Sequence, residues 1–143
     1  MQHDLRLTTH GVRLEPLARD HAPALAALVD ARLWAGMTTA LPDTAPAMEA
    51  YVDAALAAPD HLAFAVLGPD GAVRGSTRFY ELSAGQGRVE IGSTFYGRDW
   101  WAGATNPACK LMLLRHAFEV LELRRVALRC DARNTRSRAA MAR

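Results

Sequence analysis

The chain has 143 residues, half of them hydrophobic, enough for one domain around one core and too few for two. Seventeen Lys and Arg against 15 Asp and Glu leave a formal charge of +2; the basic excess, gathered from Leu121 to Arg143, reads as a solvated helix face or a contact to an anionic small molecule and argues little for nucleic acid. Two separated cysteines without a CxxC pattern and five histidines without ligand spacing give no metal site, and the chain has neither a secretory leader nor an apolar run of ~20 residues, which predicts a cytoplasmic protein without a membrane segment.

In chain order, "GVRLEPL" alternates Val12 and Leu14 with Arg13 and Glu15, a strand with one buried face. Asp20 is placed to cap a helix carrying Leu25, Leu28 and Val29 and running to about Leu33. After the break "WAGMTTALPD", Thr44 caps a second helix whose Met48, Tyr51, Val52, Ala55 and Leu56 share one face. "HLAFAVL", the turn "GPDG" at 68 to 71 and "AVRGSTRFYEL" form a hairpin. "RVEIGSTFY" extends it to a meander, with Val89, Ile91, Ser93 and Phe95 on one face and Glu90, Gly92, Thr94 and Tyr96 on the other.

Asn106 followed by Pro107 supplies a capping oxygen and then a fixed φ, which predicts a helix from 107 with Leu111, Leu114, Phe118 and Leu121 buried and Lys110, Arg115 and Glu119 toward water. Such a helix makes the following strand, with Val126, Leu128 and Cys130 on one face, parallel to its predecessor. The small residues Ala102, Gly103 and Ala104 just upstream leave two readings open: a plain helix start, or free helix amides that cradle a pyrophosphate. Cys109, in the first turn, reads as a small packed side chain and not a nucleophile, since no base is placed beside it.

Several motifs agree together in order and spacing: "EIG", Trp101 followed by Asn106 and Lys110, "LLRHAFEVL", "RRVAL", and D-x-R-N-x-R-S at 131 to 137. From Val12 to the end the chain resembles the GNAT acetyltransferases, most closely the branch of ribosomal-protein N-terminal and small-molecule N-acetyltransferases. The resemblance implies a single α+β (α/β-type) domain over 1–143, with a mixed, mostly antiparallel central sheet flanked by helices on both faces. It also implies acetyl-coenzyme A as co-substrate, no metal, and transfer of the acetyl group to a primary amine of a protein N-terminus or a small molecule.

In that family the loop and helix start hold the pyrophosphate, which assigns this role to Trp101, Ala102, Gly103, Ala104, Thr105, Asn106 and Lys110. Trp101, Asn106 and Lys110 match the branch pattern W-G-x-x-x-N-x-E-x-K; Ala102 and Ala108 depart from it. Glu90 would take the amine proton, or else pair across the strand with Arg78. Backbone groups at Phe95 and Tyr96 would hold the pantetheine and carbonyl oxygen if a bulge frees them. Asn134 would bind the pantetheine arm and Ser137 approach the sulfur, the alternative for both being helix capping. Trp34 and Met37 would wall the acceptor pocket or simply close the core. The chain stops at Arg143, before the final strands of the family, so the sheet edge is expected to be open and covered in a homodimer. The competing functional reading is a non-catalytic relic or fragment that keeps the fold for binding or assembly.

Overall fold

The computed structural model describes residues 3–35, 37, 39–83, 85–101 and 103–128. Among the described residues, six strands make one sheet in sequential order: β1 (Leu7–Thr9), β2 (Val12–Pro16), β3 (Leu62–Leu67), β4 (Val73–Ser83), β5 (Arg88–Tyr96) and β6 (Arg125–Leu128). Every neighbouring pair is antiparallel except β5 and β6, which run parallel as the intervening helix requires. β1 is an element the sequence pattern does not announce. His10 and Gly11, at φ 50 and 77, make the tight turn that returns it against β2.

Among the described residues, two helices cover one face of the sheet and one the other. α1 (Ala22–Leu28) and α2 (Ala45–Ala57) pack Leu25, Met48 and Val52 against Ala63, Ala65 and Phe95. α3 (Thr105–Arg115) packs Cys109, Met112 and Leu113 against Val12, Phe64, Phe79, Val89 and Ile91 on the opposite side. Each large apolar side chain removed from water in these layers contributes on the order of 1.5–3 kcal/mol.

Thr44 caps α2 as its sequence position implies, its Oγ1 accepting from the Ala47 amide at 3.2 Å. α1 differs from expectation at both ends. A 3-10 turn at Arg19–His21 precedes it, and Asp20 does not cap; Nδ1 of His21 accepts from the Ala18 amide instead. It stops at Leu28 because Val29 is extended at φ −99, ψ 146. Leu33 and Trp34 are still buried, held by a turn in which Oδ1 of Asp30 accepts from the Leu33 amide at 2.8 Å.

α3 begins at Thr105 with Ala104 at the N-cap, two residues before the expected start, and its buried face is rotated from the leucine stripe. Thr105, Ala108, Cys109, Met112, Leu113 and Ala117 face the sheet, while Leu111 and Leu114 are half-buried and Phe118 is 46% exposed. Small side chains let the first turns approach the sheet closely, which the larger leucines cannot do. A wider π turn at His116–Val120 inserts an extra residue and swings Phe118 outward. Lys110, expected in water, is half-buried, and that burial pulls its ammonium below the usual lysine range.

β5 also departs from strict alternation. Opposite β4, Arg78 faces Gly92 and Ser76 faces Phe95, so β5 spends three residues where β4 spends two. The extra residue is accommodated by Ser93 at φ 47, a left-handed conformation. The two faces exchange beyond it: Tyr96 joins Val89 and Ile91 toward α3, whereas Phe95 joins the α1/α2 side. The face assignments expected for Phe95 and Tyr96 are corrected accordingly.

Candidate active site

Two bulges shape the end of the sheet beside α3. One is at Ser93 in β5. The other is in β4, where Val66 and Leu67 of β3 face Gly75 and Val73, leaving Arg74 as the additional residue. Freed from the ladder's alternation, Arg74 turns toward the start of α3. Its Nη1 donates to Oγ1 of Thr105 at 3.0 Å and its guanidinium lies 5.2 Å from the Trp100 ring centroid. It also crosses the backbone of Gly68, where a Cβ would meet Nε at 2.5 Å.

A guanidinium at the N-terminus of a helix is opposed by the positive end of the helix dipole. Moreover, Nε of Arg74 is buried with no hydrogen-bond partner among the described residues. Both features are relieved by an anion, which makes the start of α3 fit a phosphate group. Sequence reasoning overlooked Arg74; the signal was a charged residue beside Gly75 inside a strand, a common mark of a bulge. Gly75 itself is compelled by the fold, since a Cβ there would overlap the Phe95 carbonyl oxygen.

The expected cradle residues divide into three groups. Gly103 and Ala104 are exposed, and a Cβ on Gly103 would meet nothing within 4 Å. Thr105 is buried and engaged with Arg74, and Trp101 donates from Nε1 to the Tyr96 carbonyl at 2.8 Å. Asn106 is not the N-cap; its Oδ1 accepts from the Tyr96 hydroxyl at 3.0 Å. Lys110 lies a turn and a half along α3. Ala102, Asn134 and Ser137 lie outside the described residues, as does Cys130. Beneath the cradle, burial pushes the Cys109 thiol up to about 11, in keeping with a packed side chain and not a nucleophile.

On the α1/α2 face of the sheet a second group of side chains converges. Glu90 is 5% exposed and stands opposite Tyr80, not Arg78. Arg78, 7% exposed, lies over the Tyr51 ring at 5.3 Å and donates from Nη1 to Nδ1 of His61 at 3.0 Å. Nε2 of His61 is 3.6 Å from Asp60, and burial together with the Arg78 charge holds the imidazole below its ordinary pKa. Neutral His61 therefore accepts at Nδ1 and carries its proton on Nε2. Trp34 is buried, its ring 5.3 Å from Tyr51 and 4.9 Å from Phe95, with Nε1 donating to the Thr39 carbonyl at 3.0 Å. Met37 packs half-buried on the same core. Glu90, Phe95 and Trp34 thus share one face, while Tyr96, at the strand end, and the start of α3 lie on the other.

A model of the acetyltransferase (GNAT) domain matches residues 12–143. The chain belongs to the GNAT acetyltransferase family. This GNAT chain is similar to a solved structure from T. thermophilus named as an acetyltransferase, with 31% identity over 99% of this chain and 75% of that one, at a TM-score of 0.90. A GCN5-related N-acetyltransferase from Brucella melitensis is 27% identical over 97% of this chain and 66% of the other, at a TM-score of 0.86. Mycobacterium smegmatis RimJ in complex with CoA-disulfide shares the fold at 21% identity, covering 96% and 72% of the two chains with a TM-score of 0.78. No curated protein matches the chain. Among the described residues, no helix is long and apolar enough to cross a membrane.

Proposed function

We propose that this GNAT chain is an acetyl-coenzyme A-dependent N-acetyltransferase acting on a primary amine. The observation that carries the reading is the Arg74 guanidinium, aimed by its bulge at the first turn of α3 with a buried N–H still to be satisfied. With the amides of Ala104, Thr105 and Asn106 and the charge of Lys110, it would hold the pyrophosphate. Acetyl-coenzyme A supplies an activated acetyl thioester, whose C–S bond is exchanged for a C–N bond to the amine with release of the thiol.

The chain's own residues divide the remaining work. The Ser93 bulge takes one residue of β5 out of the ladder near Phe95 and Tyr96, giving backbone groups to the pantetheine and to the developing negative oxygen. Glu90, on the acceptor face, accepts the amine proton directly or through water. Asn134 and Ser137 keep the roles that the resemblance implies, the first on the pantetheine arm and the second with its hydroxyl beside the departing sulfur. Trp34 and Phe95 exclude water from the acceptor side. A homodimer that covers the outer sheet edge is the accompanying proposal for assembly.

Isothermal titration with acetyl-coenzyme A tests the reading. Micromolar binding is expected, weakened roughly 10- to 100-fold by Arg74→Gln through loss of charge-assisted hydrogen bonds. Asn106→Asp is the sharper variant: it keeps an acceptor for Tyr96 and suits the helix dipole, yet repels phosphate. A stable Asn106→Asp protein with undiminished affinity would refute the cradle.

A further inference from the structure

The C-terminal end of α3 works against its own burial. The π turn at His116–Val120 inserts a residue and leaves Phe118 46% and Val120 65% exposed, the large hydrophobic side chains exposed among the described residues. One such side chain in water needs no explanation, but two together beside a recess mark a contact surface. The recess is a groove of about 170 Å³ between this turn and β1, walled by Leu7, Thr8, Met112 and His116. Its size suits an aromatic ring, since an apolar cavity of roughly 150 Å³ holds benzene. A projection and a recess therefore lie side by side on one surface.

Symmetry says what fits such a surface. A two-fold contact brings the same patch of two copies together, so each copy must carry both the projecting side chain and the recess that receives it. The charges obey the same rule. Arg115 and Glu119 line the groove, are exposed, and take part in none of the ion pairs among the described residues. Two antiparallel copies of this segment set Arg115 against Glu119 of the partner subunit, and Glu119 against the partner's Arg115, at the rim of the apolar contact. A partner of one charge sign would leave one of the two opposed. β1 adds a third feature, because it lies at an edge of the sheet and is bonded to β2 on one side only. A second copy seated there covers a strand edge that would otherwise be open to pairing with other chains.

We infer that the chain forms a two-fold homodimer through β1 and the end of α3, with Phe118 of each copy seated in the groove of the other and Arg115 and Glu119 paired across the axis. The inference rests on the homodimer proposed above and gives it a face. That face lies at the opposite end of α3 from the phosphate cradle and leaves the cradle free for cofactor.

The test is the mass of the full chain in solution, by sedimentation equilibrium across the micromolar range. A dimer is expected. Phe118→Asp should weaken it roughly 10- to 100-fold, as removal of an aromatic anchor does. Val120→Lys, at a still more exposed position, should act in the same direction and serves if the Phe118 variant fails to fold. Arg115→Glu and Glu119→Arg each set like charges across the axis and should each weaken the dimer about 10-fold. The double reversal, Arg115→Glu with Glu119→Arg, should restore it. Circular dichroism and acetyl-coenzyme A affinity should match the parent in every variant, which separates loss of the contact from loss of the fold. A dimer untouched by Phe118→Asp and Val120→Lys, or single charge reversals that the double reversal does not repair, would overturn this face while leaving the homodimer itself standing. A monomer throughout the micromolar range would overturn both.

Discussion

The hydroxyl of Tyr96 donates to Oδ1 of Asn106 at 3.0 Å, tying the last residue of β5 to the first turn of α3. The bond fixes the spacing between the strand end and the helix start, the two features that frame the proposed phosphate cradle. It also explains why an asparagine here need not cap the helix to be useful. Tyr96→Phe is expected to cost about 1 kcal/mol, because the half-buried acceptor on Asn106 loses its partner. Urea unfolding of Tyr96→Phe, Asn106→Ala and the double variant should return a coupling of about 1 kcal/mol. A coupling near zero would show that the two ends are held by other contacts.

Two glycines near the site should respond oppositely to the same added methyl group. Gly75→Ala places a Cβ onto the Phe95 carbonyl oxygen, a backbone atom that cannot swing aside without moving β5. Destabilisation of about 3 kcal/mol or more is expected, with loss of the folded state at moderate temperature. Gly103→Ala meets nothing within 4 Å and should lie within about 0.5 kcal/mol of the parent. Thermal unfolding of the two variants side by side decides it; similar melting temperatures would contradict the close approach of β4 and β5.

Cys109 gives a pH dependence with a definite sign. Burial raises its thiol from an ordinary 9.0 to about 11, so the folded state holds a proton that the unfolded state releases between those values. Its contribution is fully present below about pH 9 and is lost as pH rises through 11, an effect on the order of 2–3 kcal/mol. Chemical denaturation at pH 8 and pH 10.5 should show a steeper alkaline loss in the parent than in Cys109→Ala. In a Cys130→Ser background, the thiol should also resist alkylation at pH 8 until denaturant is added.

How much of this was legible in the sequence follows from which forces act locally. The strands at 62–67, 73–83 and 88–96, the Thr44 cap and the parallel final strand rest on alternation, turn chemistry and connection length, and all of these are written in short windows. Glu90 and the loop from Trp101 to Asn106 were singled out for the same reason, with the motif resemblance supplying roles that spacing alone left open. The bulges at Arg74 and Ser93 were not legible, since each inserts one residue relative to a partner strand and the partner's register is a property of the assembled sheet. The buried face of α3 was misplaced because leucines dominate a hydrophobicity pattern, whereas close packing on the sheet selects Ala108 and Cys109. Arg78 carries no sequence mark that separates it from a surface arginine; its burial comes from Tyr51 and His61, 27 and 17 positions away, closing over it.

Ser93 offers the most direct test of whether the bulge in β5 serves the site or only the fold. At φ 47 a residue with a Cβ is held at a cost of about 1–2 kcal/mol relative to ordinary strand geometry. Ser93→Gly removes that cost but adds freedom to the unfolded chain, so stability should change by no more than about 1 kcal/mol. Ser93→Val is different: a β-branched side chain resists the left-handed region and favours a regular strand, which would draw the displaced residue back into the ladder with β4. We expect it to destabilise by about 2 kcal/mol and to weaken acetyl-coenzyme A binding at temperatures where it is still folded, because the backbone groups near Phe95 and Tyr96 would then be re-engaged. Titration of both variants, with circular dichroism to establish that each is folded, separates the two roles. If Ser93→Val binds as tightly as the parent despite its lower stability, the bulge is a feature of sheet curvature and the pantetheine must be held elsewhere.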